Sequence, residues 1–126
     1  MLDHFKVPLS DQVRVPEQSL RSTVKAIFEK LGVPTAAAEE GADVLVTTDL
    51  RGIETHGVSN MLRNYVRWYK EGRLNPTPNW RIIRESPATA TIDGDKGLGI
   101  IQGPPAMRIA ISKARKVGVG IVTMFN

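Results

Sequence analysis

The chain has 126 residues, of which 41% are hydrophobic and 24% are charged, the composition of a folded globular protein with room for one domain. It has no run of the roughly 20 apolar residues that a membrane-spanning helix needs, and residues 1–16 lack the apolar segment of a secretory signal. Cysteine is absent and there are only two histidines, which excludes a disulfide framework and disfavours a metal site. We therefore expect a single cytoplasmic domain over residues 1–126, without membrane or metal contacts.

The net charge of +4 is unevenly distributed along the chain. No acidic residue follows Asp95, whereas five cations do: Lys96, Arg108, Lys113, Arg115 and Lys116. A basic segment of this kind can face nucleic acid, a cofactor phosphate or an acidic neighbouring domain. Aromatic side chains are few and are not interleaved with these cations, so we expect a solvated or domain-facing surface and no nucleic-acid partner.

Residues 1–16 are predicted to form an extended leader, because Pro8 and Pro16 restrict the backbone there. An amphipathic helix follows, whose apolar positions recur at helical spacing: Leu20, Val24, Ile27, Phe28 and Leu31. Gly32 and Pro34 then occur in the order that ends a helix.

Two further helices are predicted before the first strand. Thr35 is placed to cap the second helix, which runs to about Leu50. Ser59 or Asn60 is placed to cap a third, which ends at Gly72 and has one largely apolar face formed by Leu62, Tyr65, Val66 and Tyr69. These three helices would form an N-terminal helical layer.

Strands are predicted in the second half of the chain. The segments WRIIRE (80–85), ATATID (88–93) and VGIVTMFN (119–126) have the composition of short strands. Before the last of them, Pro104 and Pro105 suit the first turn of a fourth helix. The predicted fold class is therefore α+β, with about three N-terminal helices followed by the strands of a mixed sheet and one further helix.

The stretch GLGIIQG (97–103) invites comparison with the dinucleotide-binding fingerprint, which has three glycines and an acidic residue about 20 residues later. Gly97 and Gly99 match the first two glycines, but Gln102 stands at the third position and Gly103 one step later. No acidic residue follows. We interpret the stretch as a glycine turn with positive φ before a helix, and not as a Rossmann phosphate loop.

His56 lies in a break between the second and third predicted helices, with Gly52 and Gly57 on either side. Because histidine ionises near neutral pH, a histidine in such a loop can donate or accept a proton in catalysis. The free backbone N–H groups of a helix beginning near Ser59 would also favour an anion such as a substrate carboxylate. On residue chemistry alone, a solvated loop histidine without a function stays an open alternative.

The segment DLRGIETHGVSNMLRNYV (49–66) closely resembles the Asp-x-x-x-x-x-Ser-His-Gly-Val motif of the type-2 malate/L-lactate dehydrogenase family. Three surrounding segments also stand in family order: GRLNPTP (72–78), ATATIDGDKGLG (88–99) and KVGVGIVT (116–123). The resemblance implies a non-Rossmann enzyme that uses NAD or NADP to interconvert small 2-oxo and 2-hydroxy acids. It also implies a homodimer whose active site lies between domains.

In the family scheme His56 is the proton donor during reduction and the base in the reverse direction. Thr55 stands where the family has serine and keeps its hydroxyl. Asn60 stands where the family carries an arginine for the substrate carboxylate, and Arg63, one helical turn further, is the candidate helper. Family members are much longer than this chain, so most cofactor-binding residues are expected beyond Asn126 and stay unassigned.

Two other functions stay open from the sequence. The 126 residues could be a non-catalytic truncated or split product that serves oligomerisation or docks a separate C-terminal chain, or a small basic anion-binding domain. In either case, and also for an enzyme of this family, we expect these residues alone to be inactive. The final predicted strand has no following segment to cover it, which favours pairing with another chain.

Overall fold

A computed structural model of the protein describes residues 8–126. Its helices are α1 (Glu17–Lys30), α2 (Thr35–Leu50), α3 (Arg63–Lys70) and α4 (Gly99–Val117), and its strands are β1 (Arg81–Glu85), β2 (Thr89–Asp93) and β3 (Ile121–Phe125). Three helices therefore precede the strands, and a fourth helix lies between β2 and β3 along the chain. This order confirms the predicted α+β class. No helix in the described part of the chain is long and apolar enough to cross a membrane.

The three strands form one mixed sheet in the order β1-β2-β3. β1 and β2 are antiparallel, with an irregularity between Ile82 and Arg84, whereas β2 and β3 are parallel. A parallel pair needs a crossover connection, which α4 provides. The β2-α4-β3 unit thus places the turn after β2 at the N-terminal end of α4.

The hydrophobic core lies mainly between α1 and α2, where the largest fully buried side chains are Phe28, Leu45, Val24 and Val46. Each such side chain contributes about 1.5–3 kcal/mol of burial free energy. α3 adds Tyr65 to this core. The ring of Tyr69, also on α3, packs edge-on against the Phe28 ring, with 6.4 Å between the two ring centroids. The core therefore holds α3 against α1 and α2 and fixes both ends of the segment between α2 and α3.

Three local predictions differ from the structure. Of the extended leader, residues 1–7 lie outside the described residues, and Leu9–Asp11 form one turn of 3-10 helix. Thr35 begins α2 without capping it, since no side chain bonds to its first turn. Pro104 and Pro105 lie inside α4, one turn later than predicted, because α4 already starts at Gly99. The buried side chain of Leu98 anchors that earlier start in the core.

Candidate functional site

His56 lies in a single 3-10 turn, Glu54–His56, which we call the His56 turn. Gly52, with φ of +72°, reverses the chain after α2 and leads into this turn. After the turn, the backbone enters a π-helical segment, Val58–Leu62, which continues directly into α3. π-helical turns within helices are frequent at functional sites.

The His56 side chain is exposed and is not packed into the core. Its Nδ1 lies 2.8 Å from the Thr55 hydroxyl oxygen, so the hydroxyl at position 55 orients the ring. Nε2 has no hydrogen-bond partner among the described residues, which leaves this nitrogen free to exchange a proton with a bound molecule. Four cavities in the described part of the chain are lined by other residues and not by His56.

Two side chains tie the His56 turn to its surroundings. The Asp49 carboxylate accepts a hydrogen bond of 2.9 Å from the Val58 N–H, and the Asn60 amide donates one of 2.7 Å to the Glu54 carbonyl. Gly57 has φ of −86°, which any residue can adopt, but a Cβ at this position would overlap the Asp49 carboxylate. Glycine is therefore required at position 57 for space, and the turn is held from both sides.

The helix after His56 begins differently from the prediction. Gly57 precedes it, and Ser59 and Asn60 lie inside the π-helical segment, so neither is a cap. Free N–H groups were predicted at the start of this helix, but one of them, that of Val58, already binds the Asp49 carboxylate. This internal carboxylate fills the anion position at the helix N-terminus and repels a second anion there.

The two predicted substrate-binding residues lie along this helix. Asn60 is half-buried and uses its amide N–H to hold the His56 turn, so this donor is occupied. Arg63 is exposed and makes no hydrogen bond or ion pair within the described residues. Arg67, one turn further, lies 4.0 Å from Glu71 and 3.4 Å from the Asn64 side chain. The Arg63 guanidinium therefore has no partner among the described residues, whereas Arg67 lies close to Glu71 and Asn64.

The glycine-rich stretch before α4 does not fit the pyrophosphate of a dinucleotide. The positive φ angles lie at Asp95 and Lys96, not at the glycines as predicted. A Cβ on Gly97 would overlap the buried side chain of Gln102, which donates a hydrogen bond of 2.7 Å to the Gly94 carbonyl. Because Gln102 already occupies the space beside Gly97, these residues support no cofactor step. The described residues also contain no cluster of acidic and histidine side chains that could hold a metal ion.

Two of the five cations after Asp95 are paired with acids of other elements. Arg108 on α4 makes two hydrogen bonds, of 3.1 and 3.2 Å, to the Glu40 carboxylate on α2. Lys113 is only 8% exposed and donates to Glu85 at 2.8 Å and to the Ser86 carbonyl at 2.7 Å. These cations therefore connect α4 to the helical layer and to the sheet.

Comparison with known proteins gives a consistent result. A sequence model of the family described as malate/L-lactate dehydrogenase matches residues 15–126. Malate dehydrogenase of Pyrococcus abyssi is 47% identical over 114 residues, which are 90% of this chain and 31% of the relative. L-sulfolactate dehydrogenase of Methanocaldococcus jannaschii is 47% identical over 100 residues, or 79% of this chain and 29% of the relative.

Solved structures agree with the sequence matches. Malate dehydrogenase from Pyrococcus horikoshii OT3 superposes with a TM-score of 0.85 at 46% identity, covering 89% of this chain and 32% of that one. Sulfolactate dehydrogenase from Methanocaldococcus jannaschii gives a TM-score of 0.84 at 42% identity, covering 87% and 32%. The chain thus spans about a third of the length of the proteins it matches.

Proposed function

The chain belongs to the malate/L-lactate dehydrogenase family, and from this premise we propose that it carries the proton-transfer residue of an NAD- or NADP-dependent dehydrogenase of a small 2-hydroxy acid. The main observation in support is the exposed His56 ring, whose Nδ1 is engaged by Thr55 and whose Nε2 is free. The turn that carries it is tied to Asp49 and Asn60, so the ring starts from a defined backbone position.

His56 acts on the oxygen of the reacting carbon. A bound nicotinamide cofactor would supply the hydride for the carbonyl carbon during reduction, and His56 would donate its Nε2 proton to the carbonyl oxygen. In the reverse direction, neutral His56 accepts the hydroxyl proton. Histidine suits both directions because its unperturbed pKa lies near neutral pH. The Thr55 hydroxyl keeps the ring in one orientation during the transfer.

Arg63 is the proposed ionic partner of the substrate carboxylate, and Asn60, one helical turn earlier, is the second proposed substrate-binding residue. A guanidinium can bind a carboxylate through two parallel hydrogen bonds, and Arg63 has no other partner among the described residues. Malate and sulfolactate, which name the relatives, are both 2-hydroxy acids with a second acidic group. We therefore extend the proposal to 2-oxo and 2-hydroxy acids that carry two anionic groups.

Replacement of His56 by Gln in the native protein tests the proton-transfer role. Glutamine keeps the polarity but cannot act as an acid or base, so kcat/KM for the 2-oxo acid should fall by about 10²–10⁴-fold. Replacement of the neighbouring Thr55 by Ser keeps the hydroxyl and serves as the matched control, with a change of less than about threefold. Full activity in the His56→Gln protein would exclude the proposed role.

A second proposal, supported by the exposed apolar side chains near β3, is an association with another polypeptide. Met107, Ile111, Ile121 and Phe125 are 45–60% exposed and lie on α4 and β3. β3 is an edge strand of the described sheet, and such an edge readily pairs with another strand. We propose a homodimer for the enzyme. A non-catalytic docking module is the alternative. In that case the unmodified protein and the His56→Gln protein would both assemble fully, and neither would have activity.

A further inference from the structure

Asp49, in the last turn of α2, is bonded to backbone on the far side of the His56 turn. Its Oδ2 accepts the Val58 N–H at 2.9 Å across nine residues of sequence, and the same carboxylate is in contact with the backbone of Gly57. Asp49 is half-buried at this position. Its side chain therefore closes the loop that runs from the end of α2, through His56, to the start of the next helix.

The location of this carboxylate is unfavourable for the helix to which it belongs. A negative charge near the C-terminus of α2 faces the negative end of that helix dipole, whereas the same charge stabilises the N-terminus of the helix that begins at Val58. Asp49 thus stabilises the segment after His56 and not its own helix. Its presence at the end of α2 is explained by the hydrogen bond to Val58 and not by the helix preference of an acidic residue.

We propose that Asp49 is a positioning residue for His56, acting through the backbone of Gly57 and Val58. No hydrogen bond joins Asp49 to the His56 ring, so its effect on proton transfer is indirect. The inference rests on the proposed function of His56. It adds a specific requirement for the placement of His56: position 49 must carry a hydrogen-bond acceptor, and position 57 must have no side chain that would displace it.

The paired requirement makes the effects of substitution non-additive. Asp49→Ala removes the acceptor and frees the turn, whereas Asp49→Asn keeps an oxygen that can accept the Val58 N–H. Gly57→Ala pushes the Asp49 carboxylate out of its place. In a protein that already carries Asp49→Ala, the added methyl group at position 57 meets no carboxylate, so the double variant should lose no more than about twofold beyond Asp49→Ala.

The test measures kcat, KM and the ring proton signals of His56 by NMR in the protein as its cell produces it. Asp49→Ala should lower kcat by about 10- to 100-fold with KM changed less than about threefold, because a misplaced catalytic group slows the chemical step. The His56 ring signals should broaden or split. Asp49→Asn should restore most of kcat. Asp43→Ala is the matched control on the same helix, since Asp43 bonds to Arg21 on α1 and not to the His56 turn.

Two results would overturn the proposal. One is an Asp49→Ala protein that folds, keeps its kcat and shows unchanged His56 signals. The other is a double variant whose loss equals the product of the two single losses, because the two positions would then act independently. If Asp49→Ala does not fold, Gly57→Ala decides the question, because it displaces the Asp49 carboxylate without removing it. It should then lower kcat and broaden the His56 signals, and an unchanged kcat would overturn the proposal. Failure of the His56 role itself would be recognised separately: His56→Gln would stay active, while the His56 ring signals of the Asp49 variants would still report the position of the ring.

Discussion

The side-chain nitrogen of Gln102 lies 2.7 Å from the carbonyl oxygen of Gly94, so that the first turn of α4 holds the turn that leaves β2. Gln102 is only 3% exposed, and its side chain excludes any Cβ at Gly97. The crossover between the two parallel strands is therefore locked by an internal amide at the place where dinucleotide-binding folds keep an open glycine loop. This contact predicts both a stability effect and a binding property.

Replacement of Gln102 by Ala should destabilise the fold. The substitution removes the buried hydrogen bond to the Gly94 carbonyl, which keeps its second bond from the Gly97 N–H, and creates a small cavity. The expected loss is about 1–3 kcal/mol. Urea unfolding followed by tryptophan fluorescence measures this loss. Gln18→Ala on the exposed surface of α1 is the control and should change the free energy of unfolding by less than about 0.5 kcal/mol. Equal midpoints for the two variants would contradict a structural role of Gln102.

The same contact bears on cofactor binding. We expect a protein of residues 1–126 alone not to bind NADH or NADPH with micromolar affinity, because Gln102 fills the space beside Gly97 and no acid follows Asp95 to bind a ribose hydroxyl. Calorimetric titration tests this, with light scattering of the same sample for its mass. We expect a dimer or a larger assembly through the open edge of β3. Tight cofactor binding by a monomer would contradict both expectations.

Replacement of Arg63 by Ala should weaken substrate binding. The loss of a charged partner for the carboxylate is expected to cost about 1.5–3 kcal/mol, seen as a raised KM for the 2-oxo acid. Arg67→Ala is the matched control on the same helix, because Arg67 already lies close to Glu71 and Asn64. If KM and kcat of the Arg63 variant equal those of the unmodified protein, the carboxylate must bind to another group.

Tyr69 should make the protein sensitive to alkaline pH. Burial raises the pKa of Tyr69 from 10.0 to about 12, since the charged phenolate is poorly solvated beside Phe28. The stabilising contribution of the neutral ring is complete below pH 10 and is lost as the pH rises towards about 12. Tyr69→Phe should therefore lose less stability than the unmodified protein over this range. Burial also raises the pKa of Tyr65, so Tyr65→Phe separates the two contributions.

Glu85 should make the protein sensitive to acid. The hydrogen bond from Lys113 is the main reason that the pKa of Glu85 lies below its usual value of 4.5. A lowered pKa stabilises the fold above pH 4.5, and this stabilisation is lost as the pH falls through the folded-state pKa. Glu85→Gln should flatten the dependence of the urea midpoint on acidic pH. Glu29→Gln, on the exposed face of α1, is the comparison, and an identical profile for both variants would refute the effect.

Local patterns in the sequence were sufficient where one element determines its own structure. The stripe from Leu20 to Leu31 predicted α1, whose Val24 and Phe28 are buried, and the alternation in residues 88–93 predicted β2, whose Ala90 and Ile92 are buried. The motif around His56 indicated the family, because its residue types and spacing are specific. The break in the chain before His56 was also indicated by Gly52, which has a positive φ.

Tertiary contacts decided what those patterns left open. The bond between Asp49 and Val58 joins the end of one helix to the start of another, so no period along the chain shows it. The Asp49 carboxylate occupies the position where the sequence predicted a bound anion. It also explains the glycine at position 57, because a Cβ there would overlap the carboxylate, whereas the φ of Gly57 is open to any residue. In the same way, the burial of Leu98 starts α4 at Gly99 and places two prolines inside the helix, against their local preference. Sequence determines local propensity, whereas the choice between competing local structures depends on which one buries and pairs the surrounding groups.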